Sequence, residues 1–522
     1  MPSIENYQQS NHNKFVVLGL VRVMFAMLRN DIIRIMVTII CYISNNNLTQ
    51  NYQYCNIMFG LESGIAVLFV ICIAAVCVFE FANGFHDTAN AVATVIYTGA
   101  LKPTYAVVWS GLWNFIGLFL SSFWGYKVAM GIVNLLPLSD MVALSTGESV
   151  SLVLGMLVSG IAWNLGTWYF GIPCSSSHTL IGSILGVGLV FFWLHGGEGV
   201  NWGKASDIGL SLLVSPLFGF SVTILLMYIL RRIIKTEKQI FKEPEPGTKP
   251  PLWIRAILIT TCTLVSFFHG NNDGQKGIGL MLIILITFLP IQFALNSEFD
   301  VNKSLNSINN IEVALSNEHK ADLLIKTGEA KEALKQFVVV KNNPNASELE
   351  LKRATIEVRT QIAKINKKIG TELKNPTFMD GKENTKIVKS EVSKLKGDIE
   401  YSPFWVTIMI ALCLGLGTMI GWRRIAVTIG EKIGKRHMTY AEGATAELTA
   451  AVTIGLSSGF GLPVSTTHVL SSGVAGAMTA SKGVKNLQPD TIKSIAIAWI
   501  LTLPVTIILA GGCYYLLQLF LK

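Results

Sequence analysis

Residues 81–93 read FANGFHDTANAVA and place a carboxylate, an imidazole and two amides inside a strongly apolar part of the chain. The apolar run 61–82 leads into this motif and a second run, 88–101, follows it, so the polar residues lie where a membrane-spanning segment is expected. An isolated Asp at the centre of a bilayer costs about 2.5–3.5 kcal/mol on insertion scales. Asp87 therefore needs a cation, hydrogen-bond donors or a proton, and the motif indicates a functional site.

The composition indicates an all-α polytopic membrane protein with one soluble helical insert. Of the 522 residues, 51% are hydrophobic and only 14% are charged, whereas soluble domains carry about 25% charged residues. Residues 296–400 hold 18 of the 42 Lys and Arg residues and 16 of the 33 Asp and Glu residues. Further apolar runs lie at 104–125, 149–170, 176–195, 208–230, 277–294, 403–422, 441–459, 464–480 and 491–520. Together these runs predict about 10–12 membrane segments.

Basic residues between the apolar runs predict the orientation of the chain. They are concentrated in the short loops 231–255, 423–437 and 482–493, which the positive-inside rule places in the cytoplasm. The insert and the C-terminus then lie on the outer, periplasmic side. The net charge of +9 reflects these loops, so we expect a lipid bilayer and no nucleic acid as partner.

The opening motif recurs in the second half of the chain. Residues 267–279 read FFHGNNDGQKGIG, and a gapless alignment matches Asp87 with Asp273 and places Lys276 opposite Asn90. Glycines at 84, 270, 274 and 277 would allow backbone breaks, and a broken helix frees carbonyls that can bind a cation. Each copy therefore predicts half of a cation site within an interrupted helix.

A second pair of motifs has the chemistry of an anion site. Residues 171–182 read GIPCSSSHTLIG and residues 461–472 read GLPVSTTHVLSS. The Pro blocks a preceding helix, and Ser and Thr are favoured N-caps, so each motif predicts a helix start. Free N–H groups at such an end favour an anion. Two such ends would point at one another and predict a shared site for a tetrahedral oxyanion.

The spacing of the motifs indicates a duplication. Asp87 precedes His178 by 91 residues, and Asp273 precedes His468 by 195, which becomes 90 when the 105-residue insert is removed. With the cytoplasmic loops above, the two halves form inverted-topology repeats, an architecture typical of secondary transporters. The predicted divisions are 1–57 (N-terminal extension), 58–230 (membrane repeat 1), 231–252 (basic cytoplasmic loop), 253–295 (start of membrane repeat 2), 296–400 (charged insert) and 401–522 (rest of repeat 2).

The motifs resemble those of the inorganic phosphate transporter (Pit) family, closest to the low-affinity phosphate permeases of Gram-negative bacteria. The family hallmark is a duplicated GANDVANA-like motif, here GFHDTANA (84–91) and GNNDGQKG (270–277). The resemblance extends over about residues 60–522 and includes 161–182 and 462–476. It implies inorganic phosphate as substrate, secondary active transport and location in the bacterial inner membrane, with no enzymatic activity and no bound cofactor.

The resemblance also implies roles for particular residues. The phosphate site carries over to Ser175, Ser176, Ser177, Ser465, Thr466 and Thr467. The cation site carries over to Asp87, Asn90, Asn272, Asp273 and Gln275. Apart from the resemblance, His178 and His468 follow the hydroxyl triplets directly and are candidate accessory residues, which would donate to the anion, carry a proton or only satisfy a local carbonyl.

Two residues depart from the family pattern. His86 stands where the family motif has Asn, and Lys276 stands where a duplicated Asn is expected. A Lys ammonium can neutralise Asp273 or Asp87 without sodium, and a His beside Asp87 titrates near physiological pH. Both changes favour co-transported H+ over Na+. Related permeases are thought to carry phosphate as a neutral complex with a divalent metal such as Mg2+, which this site would accommodate.

Three alternatives to phosphate symport are sulfate transport, intramembrane hydrolysis and a passive channel. Sulfate suits hydroxyls and helix ends equally well, but it has no proton to donate to Asp87 or Asp273 at neutral pH. An intramembrane hydrolase would need one nucleophile and one base, whereas the Ser/His and Asp motifs are both duplicated here. A passive channel is less consistent with inverted halves and midplane Asp residues.

Two segments carry no chemistry. Residues 347–374 have an amphipathic stripe (Leu351 to Ile369) that predicts packing within the insert, or alternatively contact in a homo-oligomer. Residues 14–43 would form an extra span or an interfacial helix, unless translation starts at Met58.

Overall fold

A computed structural model describes residues 63–521, except 142–143, 198, 235–238, 246–247, 317–319, 374 and 376–381. This described part is helical and contains no β-strand. Its main helices are α1 (Ser63–Tyr97), α2 (Pro103–Trp124), α3 (Lys127–Val133), α4 (Thr146–Tyr169), α5 (Ser176–His195), α6 (Trp202–Ile233), α7 (Leu252–Phe288), α8 (Val301–Ser316), α9 (Ala321–Asn342), α10 (Glu348–Glu372), α11 (Lys382–Ile399), α12 (Phe404–Thr418), α13 (Arg423–Val427), α14 (Tyr440–Phe460), α15 (Thr466–Lys482) and α16 (Pro489–Leu521). The N-terminal extension 1–57 lies outside the described residues, and its status stays a prediction.

The all-helical membrane architecture is confirmed. Seven described helices are long and apolar enough to cross a membrane, or eight if the bent pair α11–α12 forms one span. This number is below the predicted 10–12 because the runs 61–82 and 88–101 join in the single helix α1. The bundle also includes helices that are short or polar, such as α15 with 17 residues and α14 with two buried Glu residues.

The two Asp motifs do not interrupt their helices, and that prediction is wrong. Helix α1 runs without a break through Asp87, and α7 runs without a break through Asp273. The glycines serve close packing instead. A methyl group on Gly270 would collide with the backbone of Asn114 in α2, and one on Gly84 would collide with the backbone of Leu414 in α12.

The interruptions lie at the Gly-Pro motifs. The first interruption (residues 170–175) separates α4 from α5, and the second interruption (residues 461–465) separates α14 from α15. Each contains a glycine in the left-handed region, Gly171 with φ +67° and Gly461 with φ +72°, where side chains are disfavoured. The predicted helix starts therefore form where the Pro and hydroxyl residues place them.

Helices of one half of the membrane domain pack against helices of the other half. Helix α5 packs on α16 of the other half, and α15 packs on α6. The matched motif helices α1 and α7 run antiparallel, as contacts at both ends show. Near the start of α7, Arg255 Nε donates to the Ala100 carbonyl, which lies just after the end of α1 (2.8 Å). Near the start of α1, the Phe69 ring centroid lies 5.4 Å from that of Phe288 at the end of α7. An inverted duplication requires this direction, and the full inverted relation stays a prediction.

The insert contains the four helices α8 to α11, with their own hydrophobic core. The predicted stripe on α10 packs into that core, where Val358 and Ile362 are fully buried. Arg359, on the same helix, attaches the insert to the membrane domain by donating to the Ala294 carbonyl (2.7 Å). It also donates to the Ile399 carbonyl at the end of α11 (2.8 Å). Burial lowers the pKa of Arg359 to about 10, so the guanidinium stays charged at neutral pH.

Replacing Arg359 by Met should loosen the insert. Two buried carbonyls would lose their charged donor, which costs about 1–3 kcal/mol for each unsatisfied group. We expect a lower thermal unfolding temperature in detergent and faster hydrogen exchange around residues 294–295 and 399–401. Arg353→Met, at an exposed position of the same helix, is the control. Equal stability of the two variants would contradict the anchoring role.

Candidate functional site

The N-terminal ends of α5 and α15 meet in the interior of the bundle. Ser177 Oγ in the first turn of α5 donates to the Val464 carbonyl of the second interruption (2.7 Å). The imidazole rings of His178 and His468 lie side by side, with centroids 4.6 Å apart. Since both ends present free N–H groups, this arrangement concentrates positive helix-dipole potential at one point.

Asp87 lies directly at these two helix ends. Its Oδ2 accepts a hydrogen bond from Ser176 Oγ (2.7 Å) and its Oδ1 accepts one from Thr467 Oγ1 (2.5 Å). Ser176 Oγ also lies 3.4 Å from Asp273 Oδ2. One carboxylate from α1 thus contacts both hydroxyl triplets, one from each half of the chain.

Lys276 is the cation that faces these carboxylates. Its ammonium lies 2.8 Å from Asp273 Oδ2, one helical turn away on α7. It also donates to Ser177 Oγ and to the Val464 carbonyl, the latter at 3.2 Å. The side chain is 2% exposed, so burial strengthens its attraction to Asp273 relative to water. The structure therefore places a lysine side chain directly against the Asp273 carboxylate.

His269 is a site residue that the sequence analysis did not single out. Its Nε2 lies 3.8 Å from Asp87 Oδ2 and 3.6 Å from Asp273 Oδ2. Its Nδ1 contacts Asn114 Oδ1 at 2.9 Å, which orients the ring. His269 precedes Asp273 by four residues, which places both side chains on one helix face. This spacing is the feature of the sequence that could have indicated a role for His269.

Several predicted residues are held by neighbouring backbone. Asn272 Nδ2 donates to Ser458 Oγ (3.0 Å) and to the Leu462 carbonyl (3.2 Å), so it holds the second interruption. Gln275 Oε1 accepts from the Val128 amide at the start of α3 (3.0 Å). A role of Asn272 and Gln275 in cation binding stays a prediction, and the side chain of Asn90 lies outside the described residues.

The remaining predicted residues lie at the starts of α5 and α15. Ser175 and Ser465 are the N-caps of α5 and α15, and accept from the amides of His178 (3.2 Å) and His468 (3.1 Å). Thr466 is buried in the first turn of α15. These contacts show that the two Ser residues terminate the helices, which is compatible with an additional role at the anion.

His86 has a less direct position. Its Nε2 contacts Thr167 Oγ1 at 3.3 Å, and its Nδ1 lies 3.8 Å from Asp87 Oδ1. This ring is therefore fixed by α4 beside the carboxylate, as expected for a residue that orients Asp87.

Buried polar atoms at the site lack protein partners. Among the described residues, Asp273 Oδ1 and His468 Nε2 have no hydrogen bond. Buried polar atoms are normally paired, so such atoms indicate that a polar ligand or water completes the site. Ligand atoms of Asp87, His269 and Asp273 also lie within 4.8 Å of one another, close enough to hold a metal ion. The site can accordingly take an anion at the helix ends and a cation at the carboxylates.

Two interrupted helix pairs, α4–α5 and α14–α15, meet at buried charges. This arrangement is typical of secondary transporters in membranes. Comparison with known proteins identifies the family of the chain. The sequence profile described as the phosphate transporter family matches residues 83–510. The chain therefore belongs to the phosphate transporter family, which confirms the resemblance.

Individual relatives agree with this assignment. The chain is 40% identical to the low-affinity inorganic phosphate transporter PitA of Escherichia coli K12, over 88% of this chain and 99% of that protein. It is 30% identical to a probable low-affinity inorganic phosphate transporter of Bacillus subtilis, over 87% of this chain and 98% of that protein. These proteins are named as transporters, in agreement with the prediction that the chain is not an enzyme.

A solved structure titled as a sodium-dependent phosphate transporter has a similar fold. Its TM-score to this chain is 0.51 at 20% identity, and the match covers 87% of this chain and 99% of the other. At this identity the likeness concerns the fold alone.

Removing the hydroxyl of Thr467 with Thr467→Val should weaken phosphate binding. The change removes a donor to Asp87 and a hydroxyl at the helix end, and a bond to a charged group contributes about 1.5–3 kcal/mol. We expect the concentration for half-maximal phosphate uptake to rise about 10–100-fold. Thr479→Val is the control, because that hydroxyl donates to the Ala475 carbonyl of its own helix (2.8 Å). An unchanged half-maximal concentration in Thr467→Val would count against the site.

Proposed function

We propose that the chain imports inorganic phosphate across the bacterial inner membrane by symport with protons, with phosphate entering as a neutral complex with a divalent metal. The observation that carries the proton assignment is the ion pair between Lys276 and Asp273, at 2.8 Å. An ammonium at this carboxylate removes the need for sodium to neutralise it. Phosphate as the substrate is supported by the family to which the chain belongs.

The position of Asp87 favours phosphate over sulfate. Asp87 accepts hydrogen bonds from Ser176 and Thr467 at the two helix ends, so an anion bound there lies beside a carboxylate acceptor. A protonated phosphate can donate a hydrogen bond to that acceptor, whereas sulfate at neutral pH has no proton and would be repelled. Discrimination by a missing donor leaves a buried acceptor unpaired, which is costly.

The divalent metal would bind at the two carboxylates. Asp87, His269 and Asp273 offer two carboxylate oxygens and one imidazole nitrogen within 4.8 Å. Metal bound there would face the helix ends and could be shared with phosphate oxygens. The single ammonium of Lys276 cannot balance both carboxylates, so the metal would offset the remaining negative charge of Asp87 and Asp273.

The alternative within the same fold is sodium-coupled phosphate symport. It would require sodium to bind at Asp87 while Lys276 stays on Asp273. The structure that resembles this fold is titled as sodium-dependent, so the coupling ion has to be measured for this chain.

Radiolabelled phosphate uptake into proteoliposomes should be driven by an inward proton gradient and increased by magnesium. Because the Lys276 ammonium pairs with Asp273, proton binding is left as the coupling event, and the metal neutralises phosphate. The measurement compares proton and sodium gradients, each with and without magnesium, with Asp87→Asn as the inactive reference. Uptake driven only by sodium would contradict proton coupling. Excess unlabelled sulfate should leave uptake unchanged, and full competition by sulfate would contradict the substrate assignment.

A further inference from the structure

A second acidic group lies in the membrane domain close to the site. Glu80 is on α1, seven residues before Asp87, and is fully buried. Its Oε1 accepts one hydrogen bond, from Asn83 Nδ2 at 3.2 Å, and its Oε2 has no hydrogen-bond partner among the described residues. The motifs of the sequence analysis do not include it.

The surroundings of Glu80 come from two other helices. Gly277 of α7 faces it so closely that a Cβ at that position would lie 2.5 Å from Glu80 Oε2, and Ile410 of α12 borders the same space. The titratable or charged groups near it are Asp273 and Lys276 of α7 and the Cys413 thiol of α12. Within the described part of the chain, no basic group lies at ion-pairing distance from Glu80. The nearby Lys276 ammonium pairs with Asp273 instead.

These contacts make Glu80 sensitive to the position of one ammonium. A carboxylate that is buried in a membrane with a single amide donor is strongly disfavoured, so in this arrangement the group holds a proton. Lys276 precedes Gly277 in the chain, and a shift of its ammonium from Asp273 toward Glu80 would stabilise the charged form. An anion that binds beside Ser177 attracts Lys276 to the helix ends and keeps Glu80 protonated.

We propose that Glu80 is the residue that carries the co-transported proton. Phosphate and the proton then favour each other's binding through Lys276, as reciprocal linkage requires. The proton resides on the Glu80 carboxyl group and does not need a place on the substrate. This inference rests on the proposed proton coupling and assigns that coupling to a particular residue.

The test separates phosphate movement from proton coupling. In proteoliposomes, Glu80→Gln keeps the neutral, hydrogen-bonding form of the side chain. It should retain phosphate–phosphate counterflow within about twofold of wild type, but lose proton-gradient-driven accumulation about tenfold or more. The residual uptake should no longer depend on pH.

The matched control is Glu447→Gln. Glu447 is also fully buried and accepts a hydrogen bond from Thr261 Oγ1 (2.5 Å), and its Oε1 has no hydrogen-bond partner among the residues that the structure describes. Thr261 precedes Asp273 by twelve residues on α7, about 18 Å along the helix. Glu447→Gln should therefore keep proton-driven accumulation.

The outcomes distinguish this inference from the proposed function. No proton-driven uptake by wild type would overturn the proton coupling itself. Proton-driven uptake by both wild type and Glu80→Gln would overturn only the assignment to Glu80. If Glu80→Gln does not fold, Glu80→Asp decides the matter: a shifted pH dependence of uptake with intact counterflow supports the assignment, and an unshifted one contradicts it.

Discussion

The constraint on which the structure depends is the burial of two carboxylates, Asp87 and Asp273, in the interior of a membrane domain. Ionised groups there are stable only when cations and donors surround them. The protein supplies Lys276 at 2.8 Å from Asp273 and the hydroxyls of Ser176 and Thr467 at Asp87. Because these donors come from the starts of α5 and α15, the same contacts that stabilise the carboxylates also join the two halves of the chain.

The fold follows from this requirement. Continuous helices carry the Asp residues, while the Gly-Pro interruptions deliver helix ends to them. Close approach of the continuous helices needs glycine, as the contact of Gly270 with the Asn114 backbone shows. The opposite half contacts each interruption or the helix end beside it. Lys127 Nζ donates to the Gly459 carbonyl at the end of α14 (3.0 Å), and Thr428 Oγ1 donates to the Gly171 carbonyl in the first interruption (2.9 Å). Movement of one half against the other would therefore change the access to the site.

The sequence was sufficient for the family, the helical membrane class and the helix starts at the hydroxyl triplets, because Pro, Ser and Thr act locally on the backbone. The predicted helix break at Gly270 is wrong, because glycine permits either a break or a close contact between helices. The contact with α2, which selects the second, cannot be read from the sequence. His269 and Glu80 were missed because their roles arise from partners on other helices, namely Asp87 for His269 and Gly277 for Glu80. Asn272 shows the same limit, since it contacts an interruption 190 residues further along the chain.

We propose that the Lys276 ammonium takes the place of a bound sodium ion. The most direct test is calorimetric phosphate binding to the purified protein with and without sodium, for wild type, Lys276→Asn and the charge-conserving Lys276→Arg. We expect wild type to bind phosphate equally well in both conditions, and Lys276→Asn to bind it only when sodium is present. Sodium-dependent binding by wild type, or binding by Lys276→Asn without sodium at wild-type affinity, would contradict this role of Lys276.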